Sequence, residues 1–409
     1  MRWLYNLGIL VYYLLVRIVS IRNEKARKWI EGRHDIFKRL SDTIIPGEPL
    51  LWFHASSLGE FEQGRPVIEA IRKLKPEYKI LLTFFSPSGY ELRKNYEHAD
   101  YIFYLPLDTR KNAKRFISIV KPDKVFFIKY EFWYHFLTQL KEAGIPTYIF
   151  SALFRPSQIF FKPWGKWYLN AIACYEHIFV QNQSSYDLLQ KFKFSNVSMS
   201  GDTRLDRVSE ISDAAPLLEK LDFFCQGQKV IVAGSTWKED EDLLIPYINK
   251  SPLGQKFVIA PHEVTPQNLD RIVNALEKSF VFYSKATKES LMEAEVLIVD
   301  GYGYLVSVYR YGNLAYVGGG FTSGIHSILE PAAFGLPVII GPDYHKFQEA
   351  YDMIDLGAAI CISNYEELEF QMDTFLSNPK ILKDASASAV HYVDQNRGAS
   401  KEIVKYLFS

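Results

Sequence analysis

Short runs that are apolar at nearly every position alternate with amphipathic stretches along most of this chain, beginning at residue 50. The first runs are LLWFHAS (50–56), KILLTFFS (79–86), YIFYLPL (101–107), KVFFIKYE (124–131), PTYIFSAL (146–153) and IFVQN (178–182). A strand with no polar face is one covered on both sides. Between the runs lie segments of 3.6-residue period, such as KNAKRFISIV (111–120) and FWYHFLTQLKEAG (132–144). This alternation predicts an α/β fold, a parallel sheet with helices on both faces. A polar stretch, SGDTRLDRVSEIS (200–212), breaks the pattern and is the candidate linker. A second series then follows: KVIVAGS (229–235), KFVIAPHE (256–263), FVFYS (280–284), VLIVDG (296–301), LAYVGGG (314–320), PVIIGP (337–342) and AAICIS (358–363). The expectation is two doubly wound, Rossmann-like domains facing a cleft, one over 23–205 and one over 206–385. A length of 409 residues also calls for two cores. The tail, 386–409, reads as helix that could return to the first domain.

The first residues are of another kind. WLYNLGILVYYLLVRIVSI (3–21) is almost wholly apolar. As a helix it would be ~28 Å long, close to the ~30 Å hydrocarbon core of a bilayer. A basic stretch follows, with Arg22, Lys25, Arg27, Lys28, Arg33, Lys38 and Arg39. Residues 1–22 are therefore read as a membrane anchor, with the body of the protein on the cytoplasmic side. A helix lying in the interface is the alternative. A cleavable signal would need a small-residue site after the apolar run, and none follows. Lys plus Arg and Asp plus Glu both number 47, so there is no electrostatic case for nucleic acid. The three cysteines are far apart, and no Cys/His spacing suggests a metal site or a disulfide framework.

In open parallel sheets, ligands bind beyond the carboxyl ends of the strands. HASSLGE (54–60) follows the first strand-like run, with Ser56, Ser57 and Gly59 allowing a tight turn. Glu60 then stands at a helix start, either as a cap that suits the helix dipole or as a general base fixed at a strand end. GSTWKEDEDLL (234–244) places Gly234, Ser235 and Thr236 where backbone and hydroxyl donors could meet an anion, or where an ordinary helix cap would sit. DGYGYL (300–305) is a weaker glycine loop. VGGGFTSGIHSILEPAAFGLPVIIGP (317–342) ends a strand in three glycines, which permit close approach to a ligand. His326 and Glu330 would share a helix face if that helix begins early, and a helix-start carboxylate can accept ribose hydroxyls. His54 and His262 each end a strand and read first as structural. Neither GxGxxG nor GxxxxGK[ST] is present.

Together these motifs resemble the 3-deoxy-D-manno-octulosonic acid (Kdo) transferases of lipopolysaccharide synthesis, GT-B enzymes of glycosyltransferase family 30. HASSLGE and the VGGG…GIHSILEPAAFGLPVIIGP segment carry most of the resemblance. SPSG (86–89), EFW (131–133), GDTRLD (201–206), AGST (233–236) and APHE (260–263) add to it. The resemblance implies CMP-Kdo as donor, held mainly by the C-terminal domain. It implies a lipid A precursor as acceptor, a glucosamine disaccharide bearing acyl chains and phosphates, and a site at the inner membrane's cytoplasmic face. The reaction would be inverting, with no cofactor and no metal in the chemical step. Onto this chain it places Glu60 as general base, with Glu131 the next carboxylate. It places Ser235, Thr236, His262, Gly303, Gly318, Gly319, His326 and Glu330 about the donor. Ser57, Gly59, Ser86, Ser88, Gly89 and Arg155 fall on the acceptor side. Pro261 stands where the family often has an Arg, so a donor contact must come from elsewhere. Two other readings stay open on the residues alone: a GT-B enzyme acting on a UDP-sugar, either transferase or 2-epimerase, and a membrane-tethered protein without catalysis.

Overall fold

The computed structural model describes residues 2–252 and 254–409. It divides into two compact units, Met1–Arg207 with Arg397–Ser409, and Val208–Asn396. The first holds β1 (Leu50–Ala55), β2 (Lys79–Phe84), β3 (Tyr101–Tyr104), β4 (Lys124–Ile128), β5 (Thr147–Ala152), β6 (His177–Val180) and β7 (Val197–Met199), in the order β3-β2-β1-β4-β5-β6-β7. The second holds β8 (Val230–Thr236), β9 (Lys256–Pro261), β10 (Phe280–Phe282), β11 (Val296–Ile298), β12 (Leu314–Val317), β13 (Val338–Ile340) and β14 (Ala359–Cys361), in the order β10-β11-β9-β8-β12-β13-β14. The paired strands of both sheets run parallel.

β1 shows why its run is apolar throughout. All six of its residues are buried, and the two-residue period splits them between faces. Leu50 and Trp52 join a core with Phe116 and Phe136, while Leu51, Phe53 and Ala55 join another with Phe61 and Val67. The helix Leu58–Leu74 lies close over the sheet because Gly64 has no side chain; a Cβ there would be 2.2 Å from Ile128 Cδ1.

Several strand-like runs end early. β4 stops at Ile128 because Lys129 adopts φ +71, and β5 carries Ser151 at φ +53 beside a register shift. β7 is too short and polar for its pattern to show in the sequence. The expected linker is a helix, Thr203–Ala214, and the boundary between the units falls within it. Its polarity is put to use: Thr203 is buried, its hydroxyl shared with Ser151 Oγ at 2.6 Å and the Gln63 carbonyl at 2.5 Å.

The helix Ala399–Phe408 belongs to the first unit. Ile403, Val404 and Leu407 are buried among the residues under β1. The Asp206 carboxylate accepts from the Gly398 and Ser400 amides at its start, and Lys124 Nζ donates to the Leu407 carbonyl at its end. Both sets of orphan backbone groups are thus partly satisfied.

The N-terminal helix Arg2–Val19 has no buried residue. Its half-covered positions, Tyr5, Ile9, Tyr13 and Val16, recur every three or four residues and face the first unit. Tyr5 Oη donates to Asp108 Oδ2 at 2.5 Å, and Asn6 Oδ1 lies 2.6 Å from His135 Nε2. Leu4, Leu7, Val11, Leu14, Leu15 and Ile18 stay exposed.

Ile403→Ala should destabilise the first unit by about 2–5 kcal/mol through the cavity it leaves. Hydrogen exchange should report faster amides in β1, β2 and β4, with those of β8 and β12 unchanged.

Candidate functional site

The strand order turns outward in both directions from β1 and β4 in the first sheet and from β8 and β12 in the second. Crevices of this kind are where open α/β sheets bind ligands. Most of the candidate residues stand at the ends of β1, β2, β4, β8, β9 and β12 or on the turns that follow them.

In the first unit, Ser57 precedes the helix Leu58–Leu74 and Glu60 is that helix's third residue. Ser57 Oγ donates to Glu60 Oε2 at 2.5 Å. Burial, then the neighbouring charge of Glu131, raises the Glu60 pKa above its ordinary value despite the Ser57 hydrogen bonds and His54. Gly59 is not at a strained turn. Its missing side chain faces open space, with only Ser57 Oγ at 4.0 Å.

Glu131 has another role. It is 1% exposed. Its oxygens accept from the Ser56 amide at 2.7 Å, Ser56 Oγ at 2.9 Å and Trp133 Nε1 at 2.5 Å, and His54 Nε2 lies 3.3 Å away. A carboxylate so enclosed is a brace between the ends of β1 and β4, poorly placed to take a substrate proton. His54 is itself held, with Nδ1 2.9 Å from Thr83 Oγ1. The SPSG segment joins the same crevice: the Ser86 amide donates to the Ser56 carbonyl at 2.7 Å, and Ser86 Oγ is 2.9 Å from Ser88 Oγ. Gly89 serves packing instead, since a Cβ there would meet the Phe84 ring at 2.3 Å. Arg155 is exposed. Burial raises the phenol pKa of Tyr130, and the charges of Arg155, Arg204, Glu60 and Asp202 act on it as well.

In the second unit, Ser235 sits at φ +54 where β8 slips register against β9. Such strain in a non-glycine residue clusters at functional sites. Thr236, expected to offer its hydroxyl to a ligand, is 1% exposed and donates to Glu241 Oε1 at 2.7 Å. The glycines are also used internally. A Cβ on Gly318 would meet the Ser235 carbonyl at 2.4 Å, and the Gly319 amide donates to Asp240 Oδ2 at 2.9 Å. The close approach they permit is thus to the protein's own backbone. Gly303, at φ +88, makes a turn.

His262 and His326 come together with Trp237, which sequence reasoning missed. The ring centroids are 4.4 Å apart for Trp237–His262 and 4.5 Å for His262–His326. Trp237 Nε1 donates to His326 Nε2 at 3.1 Å, so the ring's own proton sits on Nδ1. The helix with Glu330 begins only at Leu329, so His326 lies before it and the expected shared face does not form. Asp240 was missed too: it accepts from the Trp237 and Gly319 amides and from Tyr316 Oη. Four acids stand in a row at 239–242, and only the helical period tells the buried Asp240 and Glu241 from exposed Glu239 and Asp242. Glu330 has no hydrogen-bond partner among the described residues, and burial lifts its pKa to about 7. Tyr309 feels that charge, and its hydroxyl lies where a Cβ on Gly234 would be, near the end of β8.

Residues 30–207 match the family described as 3-Deoxy-D-manno-octulosonic-acid transferase (kdotransferase). A 3-deoxy-D-manno-octulosonic acid transferase from Rickettsia bellii is 26% identical over 100% of this chain and 99% of its own length. One from Aquifex aeolicus is 29% identical over 81% of this chain and 88% of its own. Among solved structures, UDP-GlcNAc 2-epimerase from Neisseria meningitidis matches with a TM-score of 0.64 at 17% identity, covering 88% of this chain and 99% of that one. That likeness is one of fold, the GT-B arrangement of two doubly wound units.

Glu330 gives a pH signature. Its folded pKa, about 7, lies above the ordinary 4.5. The folded state therefore holds its proton more tightly than the unfolded chain. The associated stability is present below pH 4.5 and is lost as pH rises through 7. Glu330→Gln should remove roughly 2–3 kcal/mol of that dependence, seen when urea unfolding of variant and wild type is compared at pH 5 and pH 8.

Proposed function

Because this chain belongs to the Kdo transferase family, we propose that it moves Kdo from CMP-Kdo to a lipid A precursor with Glu60 as the general base. The observation that carries the base is the placement of Glu60: a largely buried carboxylate of raised pKa, fixed by Ser57 at the crevice of the first sheet. The acceptor's sugar hydroxyl attacks the anomeric carbon of Kdo from the face opposite the phosphate. The new C–O bond forms as the bond to the CMP phosphate breaks, the electron pair leaves with CMP, and the hydroxyl proton passes to Glu60. A raised pKa makes a carboxylate a better base near neutral pH. Activity falls on the acid side as Glu60 takes up its own proton. Glu131 acts as a positioning residue, holding the turn that carries Ser57 and Glu60. Arg155 supplies positive charge beside that turn for an anionic acceptor.

The second unit holds the nucleotide. Glu330, a half-buried acceptor with no hydrogen-bond partner among the described residues, receives the ribose hydroxyls, whose hydrogen bonds favour its charged form. Ser235, at the end of β8, offers its hydroxyl to the phosphates. His262 and His326 stand beside them, and Gly318, Gly319 and Thr236 shape the floor. The relatives that match along the chain carry the transferase name, whereas likeness to the epimerase, at 17% identity, is one of fold.

The N-terminal helix bears an exposed apolar face of a length and composition that suit a membrane. We infer that it lies in the interface at the cytoplasmic face of the inner membrane. Its bonds through Tyr5 and Asn6 run sideways to the first unit near the helix's beginning, where a spanning helix would be across the bilayer.

Glu60→Gln should lower turnover by ~10²–10⁴-fold with CMP binding unchanged, whereas Glu330→Ala should weaken CMP by ~1–3 kcal/mol in calorimetry. Near-normal turnover of Glu60→Gln would remove it as the base.

For the helix, Arg2→Cys and Arg22→Cys, both at exposed polar positions, are compared in a background without native cysteines. Both should react with an impermeant thiol reagent added from the cytoplasmic side. Reaction at Arg22→Cys alone would mean a spanning helix.

A further inference from the structure

Beside the carboxyl ends of β2 and β3, a cavity of about 800 Å³ opens in the first unit. Tyr13 of the N-terminal helix, Phe37 and Leu107 give it apolar walls, with Lys38 and Arg115 at its exposed rim. Two groups on its lining lack the partner their chemistry calls for. Arg33 is largely buried. Its guanidinium donates to the carbonyls of Leu105 at 2.9 Å, Trp29 at 2.9 Å and Phe85 at 2.7 Å, and lies over the Trp29, Phe85 and Tyr104 rings. No carboxylate among the described residues pairs with it, and burial lowers its pKa to about 9. The second group is Trp29 itself. It is 4% exposed, and its indole N–H finds no acceptor among the described residues. A buried cation without a counter-ion and a buried donor without an acceptor are both costly. One anionic oxygen-bearing group would relieve both. The acids Glu31 and Asp35 also line the cavity but are exposed.

We propose that this cavity binds the phosphate of an acylated lipid, with Arg33 and Trp29 taking the phosphate, Lys38 and Arg115 steering it, and Tyr13, Phe37 and Leu107 lying along an acyl chain. Its wall is part of the helix whose apolar face is exposed, so a lipid could enter from a membrane surface. The inference rests on the lipid-acting reading above. Its source is either the acceptor's own phosphate or an anionic bilayer phospholipid, which share this chemistry.

The test uses the full chain in neutral-detergent micelles, titrated with short-chain phosphatidic acid. Saturable one-site binding is expected. Lys38→Ala/Arg115→Ala, both exposed and outside the core, should weaken it at least about fivefold, the order of two lost cationic contacts. Lys25→Ala/Arg27→Ala removes the same charge from the neighbouring helix and should leave affinity near wild type. Arg33→Lys keeps the charge but loses the fork, and should weaken binding if it folds. If phosphatidic acid raises the KM for the acceptor, the cavity serves the acceptor's phosphate; if KM is unmoved, it serves a bilayer lipid. Absence of saturable binding, or equal losses in both double variants, would overturn the proposal. The binding arm needs no turnover, so failure of the transferase reading would leave it standing.

Discussion

The carboxyl end of the first sheet is organised by one buried charge. Glu131 gathers the Ser56 amide and hydroxyl and the Trp133 indole onto a single carboxylate, and its carbonyl takes the Tyr175 hydroxyl. These groups come from the turn after β1, the turn after β4 and a residue just before β6. Removing the carboxylate would leave donors buried without acceptors, which costs more than the bonds themselves are worth. The same charge also acts at a distance. It opposes a second negative charge on Glu60, so the group that braces the turn also tunes the side chain the turn presents.

The second sheet solves the same problem without a charge cluster facing solvent. Asp240 ties Trp237, Gly319 and Tyr316 together beneath the crevice, and Thr236 is fastened to Glu241. What remains above is the Trp237–His262–His326 stack and the unpaired Glu330. Both units are built on a parallel seven-stranded sheet, yet the candidate site of one rests on paired carboxylates and that of the other on rings and a single desolvated acid.

Much of this was legible in the residues. Thirteen of the strands announce themselves as apolar runs, because a doubly covered strand has no reason to be polar. Glu60 and Glu330 stand out as lone acids at strand-to-helix turns. What the pattern hides is direction. A glycine reads the same whether it clears room for a ligand or for Phe84, as Gly89 does. A threonine after a strand reads the same whether its hydroxyl is free or, like Thr236, already bonded. The polar segment at 200–212 reads as linker because its hydrogen bonds, from Thr203 to Gln63 and Ser151, are to partners far away in sequence. Trp237 draws no attention until the fold stacks two histidines on it.

The helix Ala399–Phe408 sets an order of events during synthesis. The first unit's core contains Ile403, Val404 and Leu407, so the sheet made earliest lacks part of its cover until almost the whole chain has been translated. The apolar underside of β1, β2 and β4 is open meanwhile, while the second unit, continuous from Val208 to Asn396, has all it needs to close first. A nascent chain of this kind therefore presents its older half as the more vulnerable one. That half is also the one carrying the exposed apolar N-terminal helix, so early attachment of that helix to a lipid surface would shelter it from aggregation.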